Sequence, residues 1–247
     1  MAIIISPLEA ADMRRIMEIV EHSLTRTMQL IYELPLTEES LDEIAAYRAS
    51  RMIPSQETSS GKENADEKNP PSSKIFAFKA VDSETGAVVG TSRWEIHYQD
   101  EDVSKTIEEQ AKERITPPMP QARIDATYAF GAMLARVQRE TLAKPALEKG
   151  ADPNSVKKMY KRVSLDLLVV DKEHQGKGIG KALLQWGLDQ ADRLGLIAYL
   201  EATQEGRPLY EKYGFEPVKE DIFRFSSPDF EGELAYTIMI RQPRLKN

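Results

Sequence analysis

Apolar positions along the chain change rhythm several times, and each change marks an element. Ala2 to Ile5 read as a short strand, which Ser6-Pro7 ends while opening a helix. Met13, Ile16, Met17, Val20 and Leu24 then recur at helical spacing. Thr37 is placed to cap a second helix, with Ser40 three positions on and Leu41, Ile44 and Tyr47 on one face. Lys74 to Asp82 is a strand carrying Ile75, Phe76, Phe78 and Val81. Ser83 to Gly86 is a turn, and Ala87 to Tyr98 returns to close an antiparallel hairpin. Gly90 in the returning strand marks a bulge or a close approach. Glu95, in the same strand, is a solvated face residue or a pocket carboxylate.

The rhythm weakens in two places. Ser55 to Ser73 has, prolines aside, Ala65 as its one apolar residue, which predicts a mobile loop. Residues 99–162 read as a helical insertion, with a charged stretch from Val103 to Ile115 and a stronger helix from Asp125 to Leu142. Lys157, Lys158, Lys161 and Arg162 form a basic stretch that predicts a solvated face. Strand spacing resumes at Leu165. Leu196 to Glu201 is a further strand, Gly206-Arg207-Pro208 opens a last helix, and Ile222 to Phe225 with Leu234 to Ile240 form a final hairpin. The order predicts one α/β domain over residues 1–247, with its core at 163–218.

Composition narrows the chemistry. Of 247 residues, 41% are hydrophobic and 30% charged, as in a globular chain. A net charge of −7 argues against a general nucleic-acid surface and would favour cationic substrates. Without cysteine there is no disulfide, thiolate nucleophile or cysteine zinc site. His22, His97 and His174 are far apart, so no metal is expected. No apolar run is long enough for a membrane span, and the expected location is the cytoplasm, with the nucleus left open.

The chemically informative stretch is Ser164 to Leu188, SLDLLVVDKEHQGKGIGKALLQWGL. A strand of Leu165, Leu167, Leu168, Val169 and Val170 delivers a glycine-rich loop to a helix N-terminus. Free N–H groups and the positive end of the helix dipole attract phosphate there. The P-loop pattern fails, because Gln175 stands where its first glycine belongs and Ala182 follows Gly180-Lys181. The dinucleotide fingerprint fails too, because Gly176, Gly178 and Gly180 are spaced two apart. What remains is Gln-x-x-Gly-x-Gly, formed by Gln175, Gly178 and Gly180.

That loop, followed by Leu209-Tyr210-Glu211-Lys212-Tyr213-Gly214-Phe215, resembles the GNAT acyltransferase superfamily. Tyr199 to Thr203, with Gly206 and Leu209 to Lys212, is similar to its fungal members. The resemblance implies a central mixed, mostly antiparallel sheet flanked by helices. It also implies acetyl-CoA as acyl donor and a small-molecule or protein amine as acceptor. Leu168, Val169 and Val170 would pair with pantetheine, and Gln175, Gly176, Lys177, Gly178, Ile179, Gly180 and Lys181 would hold the pyrophosphate. Tyr210 would protonate the leaving thiolate, and a backbone N–H near Val169 or Val170 would serve the oxyanion. The first helices would wall the acceptor pocket, where Tyr32 and Tyr47 are candidates to reach substrate. Thr203 stands where many relatives have Asn. Asp166 is either the general base or a satisfied structural acid, with Glu95 and Glu201 as further candidates. A non-catalytic acyl-CoA-binding module is the alternative, transfer to a hydroxyl stays open, and a homodimer is compatible with the sequence.

Overall fold

The structure, a computed structural model, describes residues 2–53, 71–228 and 230–244. Its elements in order are β1 (Ile3–Pro7), α1 (Met13–Ser23), α2 (Thr25–Ile31), α3 (Glu38–Met52), β2 (Ser73–Asp82), β3 (Val88–His97), β4 (Glu101–Asp102), α4 (Ile107–Arg114), α5 (Ile124–Leu142), β5 (Lys158–Met159), β6 (Arg162–Val170), α6 (Ile179–Leu194), β7 (Ile197–Thr203), α7 (Arg207–Lys212), β8 (Glu216–Ser227) and β9 (Phe230–Arg241). Seven strands form one sheet in the order β1-β2-β3-β6-β7-β9-β8, and β4 pairs with β5 separately. Only β6 and β7 run parallel, so the sheet is mixed and mostly antiparallel. The expected loop at 55–73 lies outside the described residues as far as residue 70, and Ser73 already belongs to β2.

Several boundaries differ from the sequence reading for local reasons. Pro7 ends β1 rather than opening a helix, which costs little because β1 is an edge strand. A 3-10 turn, Ala10 to Asp12, precedes α1 and is held by a Glu9–Asp12 capping box. Leu24 (φ −109°, ψ 41°) breaks the expected long helix, and α2 starts anew after it. Thr37 does cap α3, accepting from the Ser40 N–H at 3.1 Å. Gly90 is both bulge and close approach: the register slips beside it, and an added Cβ would lie 2.8 Å from the Val169 carbonyl. Arg162 is not on a solvated face. It is 2% exposed, opens β6, and donates to Glu101 at 2.6 Å and Ser164 at 3.1 Å.

The last hairpin is far longer than its apolar runs suggest. At Lys219 and Asp221, β8 turns charged side chains toward α5. There Asp221 meets Arg136 at 2.8 Å, and Lys219 pairs with Glu140. Ile222 faces outward instead, so the usual in–out pattern is reversed over that stretch.

Two faces of the sheet are covered. α1 and α3 pack Ile16, Met17, Val20 and Ile44 into one core. α6 lies across the opposite face, where Trp186 stacks near Phe76 and Phe78 with ring centroids 4.6 and 4.8 Å apart. Trp94 is fully buried beneath the same helix. A third core joins α5 to the last hairpin through Phe130, Phe223 and Tyr236. Among the described residues no helix is long and apolar enough to cross a membrane.

Two stability outcomes follow from these contacts. A Cβ at Gly187 would sit 2.3 Å from the Trp94 ring, so α6 cannot keep its distance from β3 with any larger residue. Gly187→Ala should therefore lose about 2 kcal/mol in urea unfolding, the usual scale of core overpacking; an unchanged midpoint would contradict this packing. Asp192 grips Arg241 through two bonds of 2.7 and 2.8 Å and accepts the Arg244 N–H at 2.7 Å. The Arg241 hydrogen bonds hold its carboxyl below the usual range, outweighing desolvation. The depressed folded pKa makes this contribution complete above the unfolded value of about 3.9 and lost as pH falls through the folded value. Asp192→Asn should lose roughly 2 kcal/mol near pH 7, with the gap from wild type closing below about pH 3.9. A gap that persists unchanged in acid would assign the loss to packing instead.

Candidate active site

The site is built where two parallel strands part. β6 and β7 pair from Arg162–Ile197 to Leu165–Leu200 and no further. Beyond that point β7 stays with β9 as far as Thr203–Tyr236, while β6 stays with β3 to Val170. Residues 166–170 therefore have a strand neighbour on one edge only. Burial records the parting: Arg162 to Leu165 are buried, and Asp166 is exposed. A bulge opens at the same place, since Arg93 faces Leu167 and Trp94 faces Leu165, leaving Asp166 unopposed. Bulges re-aim side chains, and here strict alternation fails, with Leu165, Leu167 and Leu168 all reaching one cavity.

Two cavities occupy the gap. The first, about 510 Å³, surrounds the start of α6. Leu168, Val169, Val170, Gln175, Gly176, Gly178, Ile179, Gly180, Lys181, Thr203 and Tyr210 line it, as the sequence reading brought them together. Gly176 (φ 74°) and Gly178 (φ 83°) take left-handed conformations that bend the loop into the helix. Gly178 has no side chain to cap α6, so the first-turn N–H groups stay available to a ligand. Lys177 is the exception: it is exposed, donates to the Glu173 carbonyl at 2.9 Å, and does not line the cavity. Gln175 turns its amide back to the Val170 carbonyl at 3.1 Å, which also accepts from Ser23 Oγ at 3.0 Å. That carbonyl is thus engaged, and Gln175 fastens the loop to the strand end.

The second cavity, about 450 Å³, lies on the other side of Tyr210. Met28, Ile31, Tyr32, Tyr47, Phe130 and Leu134 give it apolar and aromatic walls. Arg48, Arg51, Arg114, Asp166 and Glu201 add charge. The two cavities share Leu24, Leu168, Thr203, Gly206 and Tyr210. Thr203 Oγ1 accepts the Gly206 N–H at 3.2 Å, which fixes the turn into α7 and leaves its own proton to donate. A third, polar space of about 370 Å³ adjoins the second at Arg114, Leu134, Asp166 and Glu201. Glu95 and His97 lie in this polar space, so Glu95 is a pocket carboxylate rather than a solvated one.

Burial sets the protonation of the central groups. Tyr210 is 8% exposed, and burial pushes its phenol well above the ordinary value. Burial also raises Glu201, although the Tyr199 hydroxyl donates to it at 2.7 Å and partly offsets the shift. Asp166 is instead committed to an ion pair with Arg93. Desolvation lowers His97, helped by Arg162, so its imidazole favours the neutral form. Among the described residues no cluster of His, Asp and Glu is arranged to hold a metal.

Sequence reasoning missed the contribution of the α1–α2 junction. Ser23 and Leu24 line the first cavity because the helix breaks there, and the apolar rhythm ran straight through the break. It also missed Arg51 and Arg114, because single arginines near the ends of two helices carry no signal in the sequence.

Residues 147–217 match the model of the acetyltransferase (GNAT) domain. A probable acyltransferase SID5 of Ajellomyces capsulatus is 43% identical over 61 residues, 22% of this chain and 44% of that one. An uncharacterized N-acetyltransferase YitH of Bacillus subtilis is 46% identical over 52 residues, 21% of this chain and 18% of that one. The chain thus spans less than half the length of either relative. A solved mosquito arylalkylamine N-acetyltransferase-like 5b shares the fold, with a TM-score of 0.54 at 14% identity over 97% of this chain and 100% of that one. Residues 147–217 thus match the GNAT acetyltransferase domain, and the chain as a whole has the α/β fold of that solved structure.

Proposed function

We propose that this protein is an acetyl-CoA-dependent N-acetyltransferase that moves the acetyl group directly to an amine. The observation that carries the reading is the meeting of two cavities at Tyr210. One suits a phosphate-bearing donor. Its α6 N-terminus offers free N–H groups, Lys181 adds charge, and residues 166–169 offer an unpartnered strand edge for amide pairing. The other has the apolar walls and few polar groups of a small-molecule site.

The donor supplies an activated acetyl thioester; the chain supplies position and protons. Leu168 and Thr203, common to both cavities, hold the reacting groups at the junction. As the amine nitrogen bonds to the acetyl carbon and the carbon–sulfur bond breaks, Tyr210 gives its proton to the departing sulfur. A phenol kept protonated by burial is suited to that task. The amine must lose a proton, and Glu201 is the base we assign. Its carboxyl is raised by burial, whereas Asp166 is occupied by its ion pair with Arg93. The polar space beside Glu201 gives that proton a route to bulk water.

Tyr210→Phe should lower kcat by roughly 10²- to 10⁴-fold in a thiol-release assay while CoA binding stays nearly constant. Unchanged turnover would remove Tyr210 from the chemistry. A chain that binds CoA but releases no thiol with any amine would instead be an acyl-CoA-binding module. For Glu201, kcat/KM should fall as pH drops through a value above the ordinary glutamate pKa of about 4.3, because the base must be ionised. Glu201→Gln should abolish that acid limb along with most of the rate. A limb that survives in the variant would return the role to Asp166 or to water.

A further inference from the structure

The second cavity is cationic in a chain of net charge −7. Arg48, Arg51 and Arg114 line it, and among the described residues none of them makes an ion pair. Of its two carboxylates, Asp166 is taken by Arg93, which leaves Glu201 against three guanidinium groups. These cations are close enough to repel. Arg51 acts on Arg114, and both act on Arg93, each lowering the pKa of its neighbour.

Two contacts hold the arrangement. Arg51 donates to the Tyr47 hydroxyl at 2.8 Å, and its guanidinium lies 5.6 Å from that ring. Arg114 ends α4 and runs past Gly131 of α5, where an added Cβ would lie 2.7 Å from its Cδ. Arg114 lines both the second and the third cavities. Guanidinium groups that converge without a carboxylate each repel one another, and an anionic ligand would relieve that repulsion. Guanidinium forks match carboxylate and phosphate oxygens in pairs.

We propose that the acceptor is an amine that also carries an anionic group, a carboxylate or a phosphate, which Arg51 and Arg114 bind while the amine lies at the Tyr210 end of the cavity. This rests on the acyl-transfer reading above and adds the substrate class. It reverses the expectation from overall charge. Polycationic amines are excluded, since a second ammonium would enter a field of arginines. The apolar walls of Ile31, Phe130 and Leu134 take the body of the molecule.

The test uses the full chain and matched acceptors: phenylalanine against phenethylamine, leucine against isoamylamine, and glucosamine 6-phosphate against glucosamine. Thiol release from acetyl-CoA is measured for each, and calorimetry measures binding of the same compounds to the CoA-saturated protein. In at least one pair the anionic member should be favoured by about tenfold or more in kcat/KM, the scale of one charged contact. Which pair responds distinguishes carboxylate from phosphate. Arg51→Gln and Arg114→Gln should each raise KM for that member about tenfold while leaving the neutral partner's KM within about twofold. Gly131→Ala keeps every charge but displaces Arg114, so it should shift KM in the same direction. The proposal is overturned if the neutral member is equal or better in every pair, or if no anionic member binds. Thiol release with neutral amines alone would leave acyl transfer standing and remove the anion site. Anionic compounds that bind without thiol release would keep the anion site and remove catalysis.

Discussion

Everything at the site depends on one break in hydrogen bonding. Two parallel strands pair over four residues and then separate after Leu165 and Leu200. Parallel strands ordinarily stay buried and continuously bonded. Here the separation exposes backbone on β6 that must find partners elsewhere, since unpaired buried amides are expensive. Part of the demand is met internally: Ser23 Oγ and Gln175 Nε2 both donate to Val170. The rest faces a cavity. β3 keeps pairing with β6 on both sides of the bulge at Asp166, and with the tight Gly90 contact this holds the far edge of β6 while the near edge opens. The gap is thus a consequence of strand geometry, and the helices around it supply walls rather than create it.

The charge of the two cavities follows from which helix end each one meets. The first meets the N-terminus of α6, where orphan N–H groups and the dipole favour anions. The second meets the C-terminal ends of α3 and α4, where Arg51 and Arg114 sit. A cation in the last turn is the usual complement to the helix dipole. That preference also makes such arginines unremarkable in a sequence. Only the convergence of two helix ends on one space turns two ordinary capping charges into a binding feature.

How much of this was legible in the chain depends on the range of the forces involved. Local features were readable. The Gln175 to Lys181 loop is set by glycines whose left-handed angles need no distant partner, and Thr37 caps α3 through a hydroxyl three residues from its target. The Tyr210 helix is short but closed by Gly214. Features that depend on packing were not readable. The break at Leu24 lies inside an unbroken apolar rhythm. β8 hides its length because Lys219 and Asp221 pair with Glu140 and Arg136 of α5 instead of alternating with apolar residues. Asp166 and Glu201 look alike on paper, as single acids in apolar strands. Arg93 from β3 distinguishes them by pairing with one and leaving the other to Tyr199.

That distinction carries the chemistry further than either residue alone. An acyl transfer at neutral pH needs an acid that keeps its proton and a base that can take one. Desolvation shifts both kinds of group in the same direction, raising a phenol and a carboxyl together. For Tyr210 the shift maintains the proton it must give. For Glu201 the same shift strengthens its hold on the proton it must receive. One dry junction therefore prepares both partners of the proposed reaction, with no charged neighbour needed to tune the phenol. The cost is that Glu201 must remain ionised enough to act, and here the Tyr199 hydroxyl and the field of Arg114 and Arg162 oppose burial. Arg114 then serves twice: it steadies the base, and its guanidinium still faces the cavity where an anionic acceptor would bind. An acceptor held there neutralises part of the positive field on Glu201 as it arrives. Binding of the anionic group would thereby make the carboxylate a stronger base at the moment an amine is in place to be deprotonated.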